Sequence, residues 1–97
     1  MKKTDLTLTA ADGHRLGAYS VEPDGVPRGG VVILQEIFGV NAHTRHDVEF
    51  FAEAGYHAIA PAMFDRIEPG AILEYSQTAR GLEIANSISE PQLLADL

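Results

Sequence analysis

The side chains best suited to chemistry in this sequence stand together. Gln35-Glu36 follows directly on the apolar run Val31-Val32-Ile33-Leu34 and precedes Ile37-Phe38-Gly39. An acid placed there sits at the C-terminal edge of a buried strand, where α/β proteins bind ligands. Packing between that strand and the next helix would raise the pKa of the carboxyl by desolvation, and a nearby arginine would hold it ionised. Either outcome suits catalysis. The plainer alternative is a loop acid that bonds only backbone amides.

Other candidates are weaker. There is no cysteine, which excludes thiol chemistry and disulfides within these residues. Ser20, Ser76, Ser87 and Ser89 all lack the flanking glycines of a G-x-S-x-G turn, so none reads as a nucleophile. His43 and His46, with Asp47 beside them, have the i, i+3 spacing of one helix face, but no further ligand has matching spacing, and neither metal nor cofactor is expected. His57 reads as a packed or hydrogen-bonded strand histidine. Gly29-Gly30 precedes its strand, which is the wrong side for a phosphate loop.

The elements that must position Glu36 follow from hydrophobic periodicity. Leu6, Leu8 and Ala10 alternate with threonines, Ala11-Asp12-Gly13-His14 supplies a turn, and Leu16, Ala18 and Ser20 alternate again, which predicts a β-hairpin. A Pro- and Gly-rich connection over residues 23–29 leads to a strand over Gly30 to Gln35, whose continuous apolar run predicts cover on both faces. A helix starts near Asn41 or Thr44 and carries Val48, Phe51 and Ala52 inward, with Gly55 as the left-handed residue that ends it. Tyr56 to Pro61 predicts a second strand, parallel to the first. Residues 62–70 read as loop. Ala71 to Ile88 reads as a helix with Ile72, Tyr75, Ala79, Leu82 and Ala85 near one face, and Ser89 caps a further helix with Pro91 in its first turn.

Composition bounds the function. With 45% hydrophobic and 22% charged residues in 97, the chain reads as one globular domain at most, and a net charge of −7 with seven scattered Lys and Arg argues against nucleic acid as a partner. The alternation after Met1-Lys2-Lys3 does not form an apolar signal core, and Val31 to Leu34 is far short of the roughly 20 residues that cross a bilayer, so no membrane partner and a cytoplasmic location are expected.

The wording Gly30-Val31-Val32-Ile33-Leu34-Gln35-Glu36-Ile37-Phe38-Gly39-Val40-Asn41, then His43, Arg45 and residues 52–61, resembles the dienelactone hydrolase family. The likeness runs from the hairpin to about Arg66 and weakens from Ile67 onward. It implies the N-terminal part of a single α/β-hydrolase domain over residues 1–97, a three-layer α/β/α fold with a mostly parallel sheet after the hairpin, the C-terminal half lying outside the chain. It implies that Glu36 interacts with a catalytic nucleophile and that the backbone N–H of Ile37 donates to an oxyanion. The nucleophile elbow and the Asp and His that follow it in such enzymes are not assignable here, since His14, His43, His46 and His57 all precede where the elbow would fall. The resemblance thus implies an ester or lactone hydrolase for small, anionic substrates whose first 97 residues are inactive alone. Arg66 keeps a Pro-x-x-x-x-Arg pattern after Pro61, although Ala62 stands where an acid is usual; Arg80 receives no role.

The alternative from a different class is a non-catalytic module that pairs through an exposed sheet edge. Val31 to Leu34 has no internal lysine, proline or bulge glycine to blunt such an edge. Self-association or poor solubility of the isolated chain is therefore expected.

Overall fold

The computed structural model describes all 97 residues. β1 (Lys2–Thr9) and β2 (Arg15–Glu22) form the expected antiparallel hairpin. At its turn the Asp12 carboxylate accepts from the His14 N–H at 3.1 Å, and Gly13 takes the positive φ that the tight reversal requires. β3 (Gly30–Val32), α1 (Ala42–Glu53) and β4 (His57–Pro61) make one β-α-β unit, with β3 parallel to β4. The sheet order is β1-β2-β4-β3. β2 lies antiparallel to β4, so the parallel part of the sheet is confined to β3 and β4.

α1 begins where a side chain can replace the missing intrahelical acceptor: Asn41 accepts from the Thr44 N–H at 3.0 Å. Of the two predicted starts, Asn41 is the cap; Thr44 lies inside the helix and is buried. Val48 and Ala52 turn inward onto Tyr19, Val21, Ala58 and Ala60, forming the main core. Gly55 closes the helix at φ +101°, and its N–H donates to the Ala52 carbonyl.

Three expectations are corrected. The strand predicted to Gln35 is assigned only over Gly30–Val32, although the Ile33 N–H still bonds the Ile59 carbonyl. Nor is it covered on both faces. Val31 and Ile33 are partly buried, Ile33 against the main core, whereas Val32 and Leu34 are 58% and 60% exposed. The helix predicted from Ala71 begins only at Thr78: Ala71 to Leu73 run extended, Tyr75–Gln77 is a 3-10 turn, and α2 spans Thr78–Ser87. The extended stretch wins because its backbone finds partners elsewhere, with the Leu73 N–H donating to the Phe38 carbonyl at 2.8 Å. The predicted inward face fails with it. Tyr75 and Leu82 are exposed, while Gly81 and Ile84 are buried.

α3 (Glu90–Asp96) starts as expected, with Ser89 and Gln92 forming a reciprocal capping box and Pro91 in the first turn. Phe64, Ala71, Leu73 and Ile84 form a second, smaller core between the loop after β4 and α2. No helix is long and apolar enough to cross a membrane.

The hairpin is fixed to α1 by a polar network. Tyr19 Oη donates to Glu49 at 2.8 Å, Lys3 Nζ lies 2.9 Å from the same carboxylate, and Arg45 stacks 4.4 Å from the Tyr19 ring centroid. The Lys3 ammonium, then the Tyr19 hydroxyl, hold the Glu49 carboxyl below its ordinary 4.5. A depressed folded pKa gives stability that is present above the unfolded value and lost as pH falls through the folded one. Thermal melts should therefore show Tm falling below about pH 4.5, and Glu49→Gln should flatten that fall. An identical acid slope in the variant would remove Glu49 from the linkage.

Candidate functional site

The chain leaves the sheet at Gln35, so its backbone groups need partners other than a ladder. Gln35 supplies two of them. Its side-chain oxygen accepts from the Met63 N–H at 2.8 Å, tying the end of β3 to the segment after β4, and its amide NH2 donates to the Glu36 carbonyl at 3.1 Å. Phe38 is held by the Leu73 N–H and by an edge-on contact with Tyr75, ring centroids 4.8 Å apart. Gly39 has φ +84°, and a Cβ there would overlap the Ala71 carbonyl oxygen. The loop and the 71–73 stretch approach so closely that only glycine fits. Val40 is buried in the main core and Asn41 begins α1, so every residue in Gln35-Glu36-Ile37-Phe38-Gly39-Val40-Asn41 except the exposed acid has an identifiable backbone or packing task.

Glu36 is the exception because its carboxylate makes no hydrogen bond within the chain. Its side chain is 62% exposed, and its nearest basic neighbour is His43, whose Nε2 lies 3.6 Å from Oε1. Neither the burial nor the arginine anticipated for this acid is present. His43 Nε2 stands equally 3.6 Å from Asp47, placing an imidazole between two carboxylates, one on the loop and one on α1. This is a different pairing from the His43–His46 combination weighed from sequence, and no group of three ligands suited to a metal ion forms. The Ile37 N–H also makes no bond within the chain. The two predicted site groups are thus adjacent, unused and at the C-terminal edge of β3.

Beside them opens a cleft of about 310 Å³ lined by Leu34, Gln35, Glu36, Ile37, Met63 and Phe64 on one side, with Ala85, Ile88, Leu93 and Leu97 of the helical segment opposite. Glu36 is the sole ionisable residue of that lining. A smaller cavity of about 160 Å³, near Tyr19, Arg45 and Asp65, includes neither Glu36 nor Ile37.

The remaining candidates have structural duties. His57 Nε2 pairs with Ser20 Oγ at 2.8 Å. Arg66 is 8% exposed and grips Asp96 through Nε and Nη2 at 2.9 and 2.8 Å, while Nη2 also meets Asp12 at 2.7 Å. The lost acid at Ala62 therefore leaves this arginine fully paired, and the guanidinium holds the Asp12 carboxyl below its usual range. Arg80 is engaged by Glu83 at 2.8 Å and Glu68 at 3.2 Å, away from the cleft lining.

Residues 16–95 match the model of the dienelactone hydrolase family, so the likeness extends through α2 and into α3 and does not end near Arg66 as the sequence wording predicts. A curated relative from Synechocystis sp. is 39% identical over 100 residues, covering 98% of this chain and 40% of its own length. A carboxymethylenebutenolidase of Pseudomonas putida is 39% identical over 69 residues, covering 71% of this chain and 29% of its own. A Klebsiella pneumoniae crystal structure described as a dienelactone hydrolase superposes with a TM-score of 0.76 at 28% identity, over 98% of this chain and 40% of that one. The chain thus spans 29% to 40% of the length of these proteins.

The close approach at Gly39 generates a stability prediction. Gly39→Ala forces a side chain into the left-handed region and onto the Ala71 carbonyl, at a cost of roughly 2 kcal/mol or more. By thermal melt, Tm should fall by about 8 °C or more; a shift under about 2 °C would mean that the loop and residues 71–73 do not meet as described.

Proposed function

The chain belongs to the dienelactone hydrolase family, and on that premise we propose that residues 1–97 are the N-terminal part of one α/β-hydrolase domain and supply half of an ester- or lactone-hydrolysing site. Glu36 is the acid that engages the nucleophile, and the Ile37 N–H is one of two oxyanion donors. The observation that carries this reading is the pairing of an exposed, unbonded carboxylate with an unbonded N–H on consecutive residues at the end of β3, beside an apolar cleft. In such sites one donor comes from the loop after this early strand and the other from the residue following the nucleophile.

The reaction proceeds through an acyl-enzyme intermediate. A Cys or Ser outside these residues attacks the carbonyl, its proton passes to a base, and the carbonyl oxygen takes up the electron pair as an oxyanion facing Ile37; collapse breaks the ester C–O bond, the base returns the proton to the leaving alkoxide, and water then hydrolyses the acyl-enzyme by the same route. The 97 residues alone are inactive on this reading. The substrate is a small ester or lactone. A carboxylate on it would find its cation outside the cleft lining, which contains no Lys or Arg. A cytoplasmic location, consistent with the absence of cysteine, is part of the same proposal.

A second reading rests on β3 standing at the sheet edge with Val32 and Leu34 exposed. This is a surface suited to strand pairing with a second copy. Sedimentation of the isolated chain should show self-association; a monomer that unfolds cooperatively on heating would remove this reading.

For the catalytic reading, Glu36→Gln in the full-length hydrolase should lower kcat/KM by roughly 10²-fold or more. Because the side chain is exposed, stability should change by less than about 0.5 kcal/mol. Undiminished turnover would take Glu36 out of the mechanism.

A further inference from the structure

Position 81 is occupied by a residue poorly suited to its own element. Glycine in a helix interior is a worse helix former than alanine, so its presence calls for a packing reason. That reason is visible. Gly81 is buried in α2, and a Cβ added there would overlap the Ile37 carbonyl oxygen, with the Ile37 carbonyl carbon and Cβ each 3.2 Å from it.

The helix has no room to retreat. Ile84, one turn on, is fully buried among Phe64, Ala71 and Leu73, and Ile37 and Phe38 pack against the same cluster. From the other side, the Gln35–Met63 and Leu73–Phe38 hydrogen bonds hold the loop in place. The Ile37 carbonyl and the Ile37 N–H lie on successive peptide planes joined at one Cα. Because Phe38 is pinned by the Leu73 N–H, a push on the Ile37 carbonyl is relieved by displacing the Ile37 Cα, which carries the donor with it.

We propose that Gly81 is a positioning residue: the bare backbone of α2 is the wall that sets the direction of the Ile37 N–H toward the oxyanion. This rests on the oxyanion role given to Ile37 above. It adds that α2, which contributes no reacting group, controls transition-state binding.

The test is Gly81→Ala. In the 97-residue chain, backbone amide NMR should show the Ile37 and Phe38 signals displaced while those of β1 and β2 stay. In the full-length hydrolase, kcat should fall roughly 10- to 100-fold, KM should stay within about two-fold, and the affinity for a boronate that mimics the tetrahedral intermediate should fall in step with kcat. Ala79→Gly, at an exposed position of α2, loosens the helix without entering the contact and should leave kcat unchanged. Unchanged kcat in Gly81→Ala, a loss in KM instead of kcat, or an equal kcat loss in Ala79→Gly would each overturn the proposal.

If Gly81→Ala does not fold, Ile84→Ala withdraws the anchor of the wall and should give the same kcat-only signature at smaller size. No change in kcat there overturns the proposal equally. Ile37→Pro separates the two layers of inference, because it removes the N–H outright. Full turnover in that variant ends the oxyanion reading, whereas lost turnover with a silent Gly81→Ala ends only the positioning role.

Discussion

The constraint on which this structure depends is the need to fix a backbone that leaves the sheet after Ile33 with no ladder to hold it. Amides and carbonyls that lose the ladder need other partners or solvent. Here the stretch is held from three directions: the Gln35 side chain accepts from Met63, the Phe38 carbonyl accepts from Leu73, and Asn41 caps α1. Each bond fixes another element. Together they set the end of β4, the extended stretch before α2 and the start of α1 around one loop, and Glu36 and the Ile37 N–H are left as its free groups.

What the sequence disclosed is what local chemistry determines. The hairpin, the left-handed Gly55 and the Ser89 cap are each decided by residues within a few positions of one another, and all were legible, whereas the start of α1 was narrowed only to Asn41 or Thr44. The start of α2 was not legible. Residues 71–73 have helical spacing, yet the Leu73 N–H bonds a loop more than thirty residues away, and no local signal reports a distant acceptor. The inward face of α2 was misplaced for the same reason, since it is fixed by contact with Ile37 and Phe64 and not by its own periodicity.

The site itself was half legible. Strand-end position and family resemblance singled out Glu36 and Ile37, and in the structure both border the apolar cleft. The environment of Glu36 was misjudged: solvent and His43 surround it where burial or an arginine was expected. The residues that hold the loop, Gln35, Gly39 and Gly81, carry no chemistry and drew no notice as supports. For Gly81 a signal existed in the form of a glycine inside a helical pattern, which costs stability unless something approaches closely.

The grip of Arg66 on Asp96 has a consequence for how such a protein can vary. Residues 67–95 form an excursion closed at its base by a buried, two-pronged ion pair that also reaches Asp12 on the hairpin turn. Lengthening a closed excursion costs entropy only logarithmically. This excursion carries Ala85, Ile88 and Leu93 of the cleft lining, whereas Leu34, Glu36 and Met63 belong to the sheet and its ends. One side of the cleft can thus change, and with it the shape of what enters, while the strands and the loop that carries Glu36 and Ile37 stay where they are.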